Sequence, residues 1–197
     1  ILRCLVGSEM CIRDRYNESH RHFSHALAIH PLGLIDWSNG EKDQQIILAT
    51  LKKMKDYGPD YWTGYTYAWY ANMLARAFKG EEAAEALRVF ASCFCLKNLF
   101  HANGDQSGTG KSLFTYRPFT LEGNFAFAAA VQEMLLQSHT GVVRVFPAIP
   151  EESKDVAFTD LRARGGFLVS AERKGGKVVQ VKIVSEKGGT LHFLSPD

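Results

Sequence analysis

Near residue 140 the chain changes its hydrophobic period, and no other feature of the sequence limits the fold as tightly. Before that point apolar residues recur three and four apart, as on a helix face; after it they alternate or form β-branched blocks, as in strands. A run of helices followed by a run of strands excludes an alternating βαβ sheet and predicts a helical unit followed by a separate β unit.

Within the first unit, residues 20–30 predict a short helix stopped by Pro31 and Gly33. Residues 41–56 set Ile46, Ile47, Leu51 and Met54 on one stripe, with lysines late in the helix where its dipole favours them, and Gly58-Pro59 ends it. Residues 63–79 are apolar nearly all round, which predicts a helix inside a multi-helix layer. An Ala- and Glu-rich amphipathic helix follows over 81–97, then a Gly-rich loop over 98–121, then an apolar helix over 123–138 carrying Phe125, Phe127, Val131, Met134 and Leu135. A loop of that length inside a compact unit points to function or mobility.

From Gly141 onward, the runs at 142–146, 167–173, 177–185 and 190–194 are separated by Gly165-Gly166, Gly175-Gly176 and Gly188-Gly189. That pattern predicts an antiparallel meander of hairpins, with Pro147 and Pro150 at the join between the units.

Charge excludes some functions. The 197 residues carry 23 basic and 21 acidic side chains, a net charge of +2, with no like-charge run longer than two, so no basic field exists for nucleic acid or an anionic membrane surface. No apolar run approaches the roughly 20 residues that span a bilayer. The 13 Phe, 7 Tyr and 3 Trp are a core-forming content that disordered chains lack. Residues 1–15 follow neither period, and the string CLVGSEMCIRD resembles a translated sequencing-adapter read of the kind found at the ends of gene fragments from environmental DNA; they are expected to be a non-native leader. Setting them aside removes Cys4 and Cys11. Cys93 and Cys95, two apart, face different ways and are expected to be unbridged.

Four features carry candidate chemistry. His20-Arg21-His22-Phe23-Ser24-His25 gathers three imidazoles and a guanidinium, but on a helix His20 and His22 stand about 200° apart and His22 and His25 about 60° apart, a poor metal triad. The cluster reads either as a pocket wall whose Arg and His donate to sugar or carboxylate oxygens, or as a polar helix start with one buried His. No metal or other cofactor is expected. Residues 104–112 resemble a phosphate loop in composition, but Asp105 stands where the first Gly is needed and no strand precedes it. Glu122, at the start of an apolar helix, sits at the positive end of the dipole, where it reads as a base or an orienting carboxylate, or as an ordinary first-turn charge. Of the aromatic run 61–70, Trp62 is the ring expected to be exposed for stacking on a sugar face.

Taken together, these residues resemble glycoside hydrolase family 95, the α-L-fucosidase family. The family's HRHxSH segment with a following Pro and Gly appears as His20 to His25 with Pro31 and Gly33. Its TGxxxAW and AR elements appear as Thr63-Gly64, Ala68-Trp69 and Ala75-Arg76. Its DGNF element and following helix appear as Glu122-Gly123-Asn124-Phe125 and Glu133 to His139, and its LRARGGF strand start as Leu161 to Phe167. The matches keep the family's order over 16–197.

The resemblance implies a mainly α chain with a C-terminal β-domain: residues 16–140 as the last helices of an (α/α)6 barrel, and 141–197 as a small antiparallel β-sandwich or meander. It implies an exo-acting, inverting α-L-fucosidase or α-L-galactosidase with a glycan substrate and a periplasmic or secreted location. The family's general-acid Glu and water-positioning asparagines lie upstream of the HRHxSH segment. The family's Asp is replaced here by Glu122, the catalytic candidate, while Arg21, His22, His20, Trp62 and Asn124 are the substrate-binding candidates. One added methylene displaces a carboxylate by about 1 Å, enough to cost on the order of 100-fold in rate unless the site is rebuilt. A catalytically inactive carbohydrate-binding homologue is therefore the alternative, and a helical polysaccharide lyase using His or Tyr is a third reading.

Overall fold

The computed structural model describes residues 17–196. The expected leader at 1–15, with Cys4 and Cys11, lies outside the described residues. Helix α1 spans Glu41–Tyr57, α2 Gly64–Arg76, α3 Gly80–Cys93 and α4 Leu121–Leu135. The strands are β1 Leu136–Gln137, β2 Val142–Val145, β3 Val156–Ala163, β4 Phe167–Lys174, β5 Lys177–Ser185 and β6 His192–Phe193. Helices precede strands, as the change of period requires.

Each helix buries much of the face its spacing dictates, with several corrections, the first being that α3 ends at Cys93 and not at residue 97. In α1 Ile47, Leu51 and Met54 are buried, but Ile46 falls one position off the stripe and is exposed. The expected helix at 20–30 shortens to a single 3-10 turn at Ser24–Ala26 followed by turns. Helix α4 stops at Leu135 rather than Ser138, because Leu136 and Gln137 extend to pair with β2. Its apolar surface is also only half used: Gly123, Ala130 and Met134 are buried, while Phe125 is 66% exposed. Helix α2 matches its all-round apolarity, with every residue buried except Tyr65.

Helices α2 and α4 lie side by side and run parallel, paired start to start around His101 and end to end through Arg76 and Glu133. Helix α3 packs mainly on α2. The main core is theirs, centred on Phe23, Trp62, Tyr67, Tyr70, Met73, Phe90 and Phe94.

Strands β3-β4-β5 form the expected antiparallel meander, turning at Gly165-Gly166 and Gly175-Gly176, all with positive φ. Most of β3 is hidden in the sequence because its alternation breaks: the register shifts between Phe158 and Leu161, with Asp160 at φ 55°. The first and last runs depart from the hairpin expectation: β2, from the 142–146 run, pairs with β1 and not with the meander. Strand β6 does not continue the meander but pairs in parallel with β2, in a second sheet ordered β1-β2-β6. A second core, including Val143, Val145, Phe158, Phe167 and Val169, lies with these sheets.

The two parts are joined through buried polar contacts. Arg76 ends α2 with its side chain only 6% exposed. Its Nη1 donates to the carbonyls of Ile29 at 2.9 Å and Pro31 at 3.2 Å, and its Nη2 to Glu133 Oε1 on α4 at 3.0 Å. His139, just past β1, donates from Nε2 to Asp36 Oδ2 at 2.6 Å, and Gln137 donates to the carbonyls of Ala75 and Glu133. Burial opposes ionisation of Asp36, but the hydrogen bonds from His139 and Ser38 outweigh it and hold the carboxyl well below the usual carboxylate range. Beside this network His30 has its pKa lowered to about 3, first by burial and then by Arg76 and His139.

Two outcomes follow. Replacing Arg76 with Met leaves Glu133 with an uncompensated, largely buried charge and should cost about 3–5 kcal/mol in a denaturant titration. The native protein keeps His30 unprotonated while the unfolded chain takes up a proton below pH 6.5. Stability should therefore fall as pH drops from about 6.5 toward 3, by up to about 1.4 kcal/mol per unit, with Asp36 adding to the loss below about pH 4. In denaturation curves at stepped pH, His30→Gln should flatten the upper part of that decline.

Candidate active site

The cluster of imidazoles is placed by its alternate residues. Ser19 Oγ donates to the Gly58 carbonyl at 2.8 Å and accepts from the Tyr61 N–H at 3.0 Å. Two residues on, the Arg21 carbonyl accepts from Thr66 Oγ1 at 2.7 Å. Two further, the fully buried Phe23 ring meets Trp62, Trp69 and Tyr70. With Ser19, the Arg21 backbone and Phe23 tied down, the side chains of Arg21 and His22 face outward and are exposed. The His22 N–H donates to His20 Nδ1 at 3.1 Å, setting the two rings 5.7 Å apart. His25 lies to one side, its pKa lowered by burial, Lys53 and His20.

A recess of about 350 Å³ opens here, lined by Glu18, Ser19, His20, Arg21, Tyr61 and Phe114. Phe114 belongs to the long loop, which also brings the Tyr116 hydroxyl to within 3.5 Å of Arg21 Nη1. That loop has a fold of its own. Asp105 accepts from the N–H and hydroxyl of Ser107 and the N–H of Lys111, so the phosphate-loop lookalike is an acidic turn. Bridges join Cys95 to His101 and Ala102 to Phe119.

On the far side of the first turn of α2, Glu122 stands exposed in the first turn of α4. With burial the larger cause, its charge helps push the Tyr65 hydroxyl pKa up. Thr66 thus holds the Arg21 backbone, and its neighbour Tyr65 lies within reach of the Glu122 charge. Thr63 and Thr66 cap the first turn of α2 reciprocally.

Two expectations change. Trp62 is not the exposed ring: it is 4% exposed, packed edge-on against Phe23 and Tyr67. As the residue before the Thr63 cap it points into the helix layer. The Asn124 amide is engaged at both ends within the protein, accepting from the His101 N–H and donating to the Leu99 carbonyl, each at 2.9 Å. Among the described residues no group of three or more His, Cys, Asp and Glu could hold a metal ion, and no helix is long and apolar enough to cross a membrane.

Sequence reading missed His101, which has no exposed surface, stacks on Phe90 at 5.2 Å, and occupies the gap between the starts of α2 and α4. The signal was in two glycines. A Cβ at either Gly64 or Gly123 would come closer than 3.0 Å to the His101 ring.

The glycosyl hydrolase family 95 catalytic domain matches residues 11–135, and the family 95 C-terminal domain matches residues 137–196. The chain belongs to glycoside hydrolase family 95. "Alpha-L-fucosidase 2" of Arabidopsis thaliana is 34% identical over 170 residues, which is 85% of this chain and 19% of that protein. The chain thus spans about a fifth of that relative's length.

Gly123→Ala should force the His101 ring aside and cost about 1–3 kcal/mol, read as a lowered unfolding midpoint. Alanine at exposed Gly108, which meets nothing within 4 Å, should cost less despite its positive φ.

Proposed function

We propose that this chain supplies one wall of the active site of an exo-acting, inverting glycosidase of the α-L-fucosidase type, with α-L-galactosides as the variant substrate. What supports the reading is that Thr66, in the first turn of α2, holds the Arg21 backbone, while Glu122 lies in the first turn of α4, whose start meets that of α2 at His101. The family membership and the fucosidase relative support the reaction class. The parallel α2 and α4, with α3 packed on α2, suit the inner and outer helices of an (α/α)6 barrel, with residues 16–140 in the barrel, 141–197 a C-terminal domain and 1–15 a non-native leader. By the same resemblance the protein is periplasmic or secreted.

In this reading Arg21 and His22 donate to sugar hydroxyls and His20 orients His22. Glu122 supports the group that activates water. Inversion requires that water to fit between two catalytic groups roughly 6.5–9.5 Å apart, the second being the general acid of the barrel's earlier part. Glu122 in place of the family's Asp favours one second reading, a sugar-binding protein without turnover.

The test is hydrolysis of aryl α-L-fucosides and α-L-galactosides by the complete protein. Glu122→Gln should lower kcat by about 10²–10⁴, while Arg21→Ala should raise KM with a smaller effect on kcat. If the complete protein binds fucose but turns over neither substrate, the sugar-binding reading stands instead.

A further inference from the structure

The Glu122 carboxylate projects from an exposed helix start and has no ion pair among those formed by the described residues, so its position relative to α2 depends on what holds that helix start. Three observations converge on His101. Its ring fills the space left by Gly64, the first residue of α2, and Gly123, the residue after Glu122, and a methyl group at either place would overlap it. Its backbone N–H is taken by Asn124 Oδ1. Its Nδ1 lies 2.9 Å from the Thr120 carbonyl and 2.8 Å from Thr120 Oγ1, just ahead of the first turn of α4.

We propose that His101 is a positioning residue for Glu122: its ring, backed by Phe90, fixes the start of α4 against the start of α2 and ties down the backbone leading into the carboxylate.

The hydrogen bonds decide the tautomer. Thr120 Oγ1 spends its single proton on Asn103 Oδ1 at 2.9 Å, and a carbonyl can only accept. Both Thr120 oxygens therefore accept from His101, and Nδ1 carries the proton. That leaves Nε2 bare, buried and without a partner, packed against Gly64. A proton there would meet no acceptor, so the ring acts as a wedge and not as an acid or base. Burial, the largest influence on its pKa, works in the same direction by lowering it, against the Thr120 carbonyl and the charge of Glu122. No other histidine of the described residues is fully enclosed.

The effect on turnover rests on the glycosidase reading above; the wedge itself does not. Two variants of the complete protein separate its parts. His101→Leu roughly keeps the volume and removes the donor, whereas His101→Asn keeps an amide donor for Thr120 and removes the ring. His101→Leu should lower kcat about 10- to 100-fold, the loss that a misplacement near 1 Å produces, with KM changed less than threefold. His101→Asn, which loses the wedge, should lower kcat at least as much, again with KM changed less than threefold. A His101→Leu or a His101→Asn enzyme with wild-type kcat overturns the proposal. Nitrogen NMR of labelled imidazoles at pH 8 should show His101 with Nδ1 protonated and Nε2 bare; an Nε2–H form also overturns it. If the wild-type protein hydrolyses neither substrate, the glycosidase reading fails alone. A crystal structure of His101→Asn then decides: Glu122 displaced by about 1 Å relative to α2 supports the wedge, and an unmoved Glu122 refutes it.

Discussion

The guanidinium of Arg76 is the contact on which the rest of the molecule depends. It is enclosed at the end of α2, and its charge is balanced by Glu133 on α4 and by carbonyls of the 29–31 turn. A charge buried in that way is costly unless it is fully partnered, so three separate segments are held to one geometry. The partners reach further: Glu133 is followed by Gln137, which returns to α2, and by His139, which reaches Asp36. One buried cation thereby organises the end of the helical layer and the start of the β unit.

Helices α2 and α4 leave the Arg76 network as a parallel pair and open at their starts, where polar and charged side chains face outward. The separation there is set not by a salt bridge but by an uncharged ring between two glycines. Arg21, held through its backbone ahead of the 3-10 turn, and Glu122, in the first turn of α4, are both exposed to solvent.

Much of this was legible in the sequence, for identifiable reasons. The stripe Ile47, Leu51, Met54 and the enclosure of α2 follow from helical period alone, and the meander turns follow from paired glycines. The candidate residues Arg21, His22 and Glu122 were visible because they stand in motifs of unusual composition. Trp62 was misread because an aromatic residue just before a helix has no period to indicate which way it turns. Strand β3 was obscured because its bulge at Asp160 breaks the alternation that marks a strand, and β6 was misplaced because local pattern says nothing about which strand a segment will find.

The sequence by itself determined the order of helical and β parts, the faces that are buried and the family, since these depend on residue spacing and on which residues occur together in order. Only the tertiary structure decided that Gly64 and Gly123 frame the same histidine, that Arg76 and His139 serve one network, and that the Arg21 backbone and the Glu122 charge reach neighbouring residues of α2. Those relations join residues about 22 to 101 positions apart, and what brings such groups together is the packing of helices and the partnering of buried polar atoms, neither of which leaves a local trace along the chain.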